Sequence, residues 1–358
     1  MNNINIIDEL AKVLKLEVPV LEAAVEKAEK AAAKAEKAKL KKLEPTERLM
    51  TAMRKSVDAA KIGKVFFRGV ALSSDRTYIR ALVSMYYQIQ SNRIKMANQL
   101  KAIEREDSTA ANTASGSSDV MSFFTAQLET SENNIQTFLD VWTDRDPVCL
   151  WMKAQYGIGP VIAAGIAANF DIAQTKTAGG FWKYIGWDGQ TPPRKKGVKC
   201  TFNPKARVLA WKAGNSFKMG HKKESCYYGQ LYARKKDEYL RRNETGGFAE
   251  TAAKELAEKK ISDPDTRAKL ESGKILDAHI DAMALRFASK MFLSHVFDVM
   301  YIMEYGEKPP VPFTKEHLGH VHVEHPQKLS VLRDAFNEKF PGKDFDKVIF
   351  EAYHIILE

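Results

Sequence analysis

Cysteine is scarce: Cys149, Cys200 and Cys226 are the only three in 358 residues. They are too few and too scattered for a disulfide framework or a cysteine-built zinc site. No apolar run approaches the roughly 18–20 residues of a membrane span, and the N-terminus lacks a signal-peptide pattern. The expectation is an intracellular, cytoplasmic chain with no membrane partner. Runs of period-two alternation are nearly absent, which speaks against strands and against a nuclease whose acids are presented from them. No phosphate-cradling P-loop, serine-hydrolase elbow or HNH-type metal finger is present either. These absences predict a chain that is not an enzyme and needs no cofactor.

What is present begins with a core and a charge. Apolar residues make up 44% of the chain, enough to exclude wholesale disorder, and the formal net charge is +10. That charge is concentrated. From Lys183 to Arg242 sixteen Lys/Arg face four acids, a net of +12, so the rest of the chain sums to −2. One focused basic segment on a neutral scaffold is the electrostatic footprint of a polyanion binder.

The pattern divides into four stretches. Residues 1–62 read as helical, with an Ala/Lys/Glu-rich solvated run from Leu21 to Leu43 that Pro45 ends and Thr46 restarts. Over 63–146 the spacing predicts an antiparallel helical hairpin of coiled-coil type. Tyr78, Leu82, Met85, Ile89, Asn92, Met96, Gln99 and Ile103 fall at 4-3 intervals. Beyond the polar stretch Asp107–Ser118, so do Phe124, Leu128, Ser131, Ile135, Phe138 and Trp142. About 28 residues per arm make a rod on the order of 40 Å long. Such a rod is expected to join two copies into a homodimer. Residues 147–325 read as a globular helical domain, with a solvent-facing insertion after Thr245 and a long amphipathic helix, Asp277–Tyr305. Residues 326–358 form a C-terminal helical extension. The fold class is mainly α.

Candidate binding residues lie chiefly in the basic segment. Arg194, Lys195, Lys196 and Lys199 occupy a Pro/Gly/Lys loop, followed by Lys205, Arg207, Lys212, His221, Lys222 and Lys223. Tyr227, Tyr228, Tyr232 and Tyr239 are interleaved with Arg234, Lys235, Lys236, Arg241 and Arg242. Aromatic faces among cations suit nucleic acid with accessible bases, although tyrosines sharing a helical face also pack. The turn Gly157-Ile158-Gly159-Pro160 allows close backbone approach, either to hold a phosphate on the following helix or to pack two helices tightly. His279, Arg286 and Lys290 form a polar stripe opposite Ile280, Phe287 and Met291, facing either phosphate or an ordinary interface. His317, His320, His322 and His325 cluster within nine residues. With no cysteine or acidic cluster assisting, packing rather than metal binding is the expectation there.

Taken in order, several of these motifs resemble a known group. The hairpin followed by Tyr156-Gly-Ile-Gly-Pro-Val-Ile-Ala-Ala164, Phe181-Trp-Lys-Tyr-Ile-Gly186 and Asn203-Pro-Lys-Ala-Arg207 resembles the Nop domain of box C/D ribonucleoprotein scaffolds. It also resembles the C-terminal domain of bridge-RNA-guided serine transposases. The later runs Asp277-Ala-His-Ile-Asp-Ala-Met-Ala284, Lys290-Met-Phe-Leu-Ser-His295 and Leu318-Gly-His-Val-His322 are similar to the Tas proteins of tandem interspaced guide RNA systems. The likeness covers about residues 75–325. It departs from the transposases at Pro192-Pro-Arg-Lys-Lys-Gly-Val-Lys-Cys200, where no nucleophilic serine stands. Residues 1–62 are also too short and too helical for an acidic nuclease domain. The resemblance therefore implies a nuclease-less Tas-like protein, prokaryotic or phage-encoded. Such a protein binds a box C/D-like dual-spacer guide RNA, addresses target DNA by base pairing and leaves room for a separate nuclease partner. The alternatives are an inactive or divergent bridge-RNA-type transposase, and a structural guide-RNA scaffold with no DNA target.

Overall fold

The computed structural model describes residues 23, 26–34, 45–107, 115–311 and 324–357. Helix dominates them, and among the described residues there is no strand. The fold is mainly α. A short exposed helical stretch covers 26–34. The next helices are α1 (Pro45–Ala59), α2 (Lys64–Ser73), α3 (Arg76–Asp107), α4 (Ser115–Thr143), α5 (Pro147–Ala154) and α6 (Pro160–Asn169). There follow α7 (Ala178–Tyr184), α8 (Pro204–Gly220), α9 (Tyr227–Glu244), α10 (Ala249–Glu258), α11 (Pro264–Glu271) and α12 (Asp277–Tyr305). The chain closes with a 3-10 turn, Leu329–Leu332, then α13 (Arg333–Lys339) and α14 (Phe345–Tyr353).

Local chemistry sets several of these boundaries. Asp146 accepts from the Val148 N–H and Pro147 follows at the first helical position of α5. Asn203 does the same for α8, accepting from Lys205 and Ala206 with Pro204 next in line. Asp344 caps α14 through Asp346 and Lys347. At the other end of α12, Gly306 takes the left-handed conformation that terminates a helix without a Cβ penalty.

The chain forms two compact units: the described part of Met1–Lys61 with Ile89–Glu132, and Ile62–Gln88 with Asn133–Glu358. In the first, α1 meets α4 where the Gln127 amide donates to Ser56 at 3.1 Å. There α3 and α4 share a polar layer in which Gln90 and Arg93 donate to Glu132 at 2.8 and 2.6 Å, and Glu132 is buried.

In the second unit α3 and α4 run antiparallel, because Tyr78 meets Phe138 while Ser74 accepts from the Trp142 indole at 3.1 Å. The seam departs from the expected one by a residue. Ile79, Val83 and Tyr86 are buried, whereas Tyr78 and Met85 are half-exposed. On α4 Phe138 and Trp142 are buried as the spacing predicted, Ile135 is partly buried, and Phe124 and Ser131 are exposed. Asn92 and Gln99, expected in the seam, are exposed as well. The reason is that a paired Gln–Arg–Glu layer reads as surface in a hydrophobicity pattern, yet is seated inside once its charges are satisfied.

The core of the second unit is built around α12, which α7, α8 and α9 surround. Phe292 on α12 is the centre of an aromatic knot with Trp151 of α5, Phe217 of α8 and Tyr228 of α9, at ring separations of 6.2, 5.2 and 5.1 Å. Each such fully buried ring contributes on the order of 2–3 kcal/mol by removal of apolar surface from water. Leu329, Leu332, Phe336, Phe345 and Ile349 belong to the same core, so residues beyond 325 are part of this unit rather than an appendage. The insertion after Thr245 has a small core of its own, made by Phe248, Ala252, Leu270, Ile275 and Ile280.

Close helix packing rests on small residues. A Cβ on Gly229 of α9 would lie 2.8 Å from the Phe217 carbonyl oxygen and 2.9 Å from the His221 Cα. In most helices Gly→Ala gains about 1 kcal/mol. Here main chain stands in the way, and Gly229→Ala is expected to destabilise by about 1–3 kcal/mol through overpacking. Urea unfolding measures it, and a stabilised variant would contradict the close α8–α9 approach.

Candidate nucleic-acid interface

The basic segment folds as loop, helix, loop and helix. Its first loop is held at the base, since Asn203 donates its backbone N–H to the Tyr184 carbonyl at 2.8 Å and its side-chain amide to the Tyr184 hydroxyl at 2.5 Å. Arg194, Lys195, Lys196 and Lys199 are exposed on that loop, and Lys205 is exposed on the first turn of α8. Among the described residues no carboxylate lies within ion-pair distance of any of them.

Three cations from two distant parts of the chain come within electrostatic reach of one another. Arg207, on α8, stacks its guanidinium 4.7 Å from the Phe202 ring and 6.0 Å from that of Trp187. Lys290, on α12, places its ammonium 4.0 Å from the ring centre of Trp182, whose indole N–H donates to the Lys290 carbonyl at 3.2 Å. Arg286 is one turn away from Lys290 and exposed. Burial lowers the Arg207 pKa first, and the charge of Arg286 lowers it further. Lys290 is likewise lowered by burial and then by Arg286, against an opposing pull from Asp188. No carboxylate of the described residues pairs with Arg207, Arg286 or Lys290. Arg207 and Lys290 on aromatic faces, each repelled by the exposed Arg286 and none of the three in an ion pair among the described residues, form a site suited to an anion.

Other basic residues are spent within the protein. Lys218 and Lys236 both pair with Asp281, at 2.5 and 2.9 Å, and the Tyr232 hydroxyl donates to the same carboxylate. Burial alone would raise the Asp281 carboxyl. The hydrogen bonds from Lys218, Tyr232 and Lys236 outweigh it and hold the group well below the usual carboxylate range. Arg234 pairs with Glu324 at 2.7 Å, and Lys235 pairs with Glu238 at 2.8 Å while lying over the Tyr239 and Phe287 rings. Lys212 lies 4.0 Å from the Tyr87 ring centre, and burial lowers its pKa. His221 caps the end of α8, its Nδ1 2.7 Å from the Lys218 carbonyl oxygen, and Lys222 and Lys223 next to it are exposed.

Two expectations change outright. Tyr228 is 1% exposed and its hydroxyl is 2.8 Å from His295 Nδ1, so it is core and offers no stacking face. Its neighbour Tyr232 is equally enclosed. His279 leaves the stripe it was grouped with, because its Nδ1 lies 2.8 Å from Glu255 in the insertion. Only Arg286 and Lys290 of that stripe reach the basic face.

The glycine turn resolves toward packing. Gly157 has φ +86°, and the Ser216 hydroxyl donates to its carbonyl at 2.6 Å, tying the turn to α8. Gly159 is the N-cap of α6 with open space where a Cβ would be. The nearby cations are committed elsewhere: Lys153 to Asp140 and Asp144, and Lys328 to the Ala154 carbonyl.

His317, His320 and His322 lie outside the described residues. Among the described residues no group of three potential metal ligands occurs, and no helix is long and apolar enough to cross a membrane. His325 contacts Pro326 and Gln327.

Comparison with family models, with curated proteins and with solved structures finds no match.

Proposed function

We propose that this protein binds nucleic acid on the face made by Arg207, Arg286, Lys290 and the loop 194–199, and that the bound strand is a guide RNA. The observation that carries the reading is the gathering of Arg207, Arg286 and Lys290, none of them in an ion pair among the described residues. Partly buried cations normally find acids, as Lys153, Lys218 and Lys236 do here. A trio that does not is matched to an external polyanion. The guide role rests on the resemblance to Tas and Nop proteins. In such an assembly base pairing supplies the DNA address and the protein reads RNA shape and backbone. The chain then acts without cleaving DNA itself.

A second copy belongs to this reading. The outer face of α2 carries Phe66, Val65 and Val70 at 81, 70 and 60% exposure, an apolar surface of the kind a protein partner covers.

The test is to purify the full chain from cells carrying its native locus and to sequence the nucleic acid retained. A discrete short RNA containing two segments that match DNA elsewhere is the expected result. Heterogeneous DNA alone, or no nucleic acid, would overturn the guide reading.

A further inference from the structure

The chain has five tryptophans, and four are engaged within the fold. Trp142 and Trp151 are buried and donate their indole N–H groups to the Ser74 and Gln327 carbonyls at 3.1 and 2.7 Å. Trp182 donates to Lys290, and Trp187 is buried beside Arg207. Trp211 is different. It is 48% exposed on α8, and among the described residues no aromatic ring packs against it.

Its position gives the exposure meaning. Trp211 lies one turn beyond Arg207, at the i+4 spacing that puts two residues side by side on a helix. It thus borders the Arg207–Arg286–Lys290 group. The same exposed arc of α8 carries Lys205, Val208 at 50% and Met219 at 80% exposure. A large flat side chain left half in water is ordinary when isolated. Set beside unneutralised cations, it matches the pairing of backbone-tracking charge and stacking face that single strands use. A duplex keeps its bases stacked on one another and has no use for such a face.

We propose that Trp211 is a stacking platform for an unpaired base, and that the basic face therefore takes single-stranded nucleic acid in preference to duplex. The proposal rests on the nucleic-acid reading given above and specifies the form of its ligand. Arg207 and its neighbours hold phosphates, and Trp211 takes the base one turn along the helix. Because every base has a π-face, this contact is tolerant of sequence.

The experiment measures the affinity of the full chain for a fluorescent single-stranded RNA and for an RNA hairpin duplex of equal length. Wild type is compared with Trp211→Ala and Trp211→Phe, at one salt concentration. Trp211→Ala is expected to weaken single-strand binding by about 5- to 100-fold, to change duplex binding by less than about twofold, and to be largely rescued by Phe. Quenching of intrinsic tryptophan emission on adding the single strand should diminish in both variants. Matching thermal melts establish that the variants fold. Wild-type binding to both RNAs with no selective loss in Trp211→Ala would overturn the stacking role and leave the nucleic-acid reading standing. A change in oligomeric mass without a change in RNA affinity would reassign Trp211 to a protein contact and overturn it too. No wild-type binding to either RNA would remove both readings together.

Discussion

Neutralising Arg207, Arg286 and Lys290 together to Gln is expected to lower RNA affinity by about a hundred- to a thousandfold at low salt. A hydrogen bond to a charged group is worth about 1.5–3 kcal/mol, and discounting for partial exposure leaves about 1–1.5 kcal/mol for each of three phosphate contacts. The salt dependence is the more specific signature. Each lost phosphate contact on a single strand reduces the slope of log K against log salt by about 0.7, so the triple variant should be shallower by about 2. Stability should move by less than about 1 kcal/mol, because relief of like-charge repulsion opposes loss of the Arg207 and Lys290 cation–π contacts. Neutralising the exposed Lys254, Lys260 and Lys308 removes the same formal charge away from this face. If that control loses as much affinity and slope as the triple variant, net charge rather than the site explains binding.

Asp281→Asn is expected to destabilise the fold by about 2 kcal/mol. The Asp281 carboxylate sits among α8, α9 and α12, receiving Lys218, Tyr232 and Lys236. Breaking a buried pair costs about 3–5 kcal/mol, and the figure is reduced here because Lys218 and Lys236 are 40% and 34% exposed and water screens them. The pH dependence carries a definite sign. The folded carboxyl is held below its unfolded value of about 3.9, so its stabilisation is fully present above that pH and is lost as pH falls toward the folded value. Wild type should therefore lose more stability than Asp281→Asn between pH 5 and pH 3 in urea unfolding. Parallel curves over that range would show that the network contributes nothing.

Elsewhere in the core, burial sets the protonation of two groups. Burial pushes the His295 imidazole down to about 4, against the opposing hydrogen bond to the Glu324 carbonyl, so it is neutral at physiological pH. Burial likewise pushes the Asp298 carboxyl up to about 7, despite the Tyr353 hydroxyl donating to it at 3.1 Å. These groups lie under α9 and the C-terminal segment, away from the basic face, and belong to packing.

Local sequence chemistry already determined a good deal. The caps at Asp146, Asn203 and Asp344, each next to or near a helix-starting residue, fix helix starts because the capping atoms come from the same few residues. The 4-3 spacing located α3 and α4, and the absence of alternation foretold the lack of strands among the described residues. The concentration of +12 between Lys183 and Arg242 marked the region that holds most of the basic face.

Tertiary structure decided which of those charges remain available. Lys218 and Asp281 are 63 residues apart, Arg234 and Glu324 are 90 apart, and Trp182 and Lys290 are 108 apart. No periodicity connects such pairs, because each is made only when segments distant in sequence pack around a shared core. Packing likewise decided that Arg93 seats against Glu132 between α3 and α4, and that Tyr228 lies inside while Trp211 stays out. Composition sets how much charge and aromatic surface a chain carries. Only the fold determines which cations meet acids, which rings meet one another, and which of both are left facing a partner.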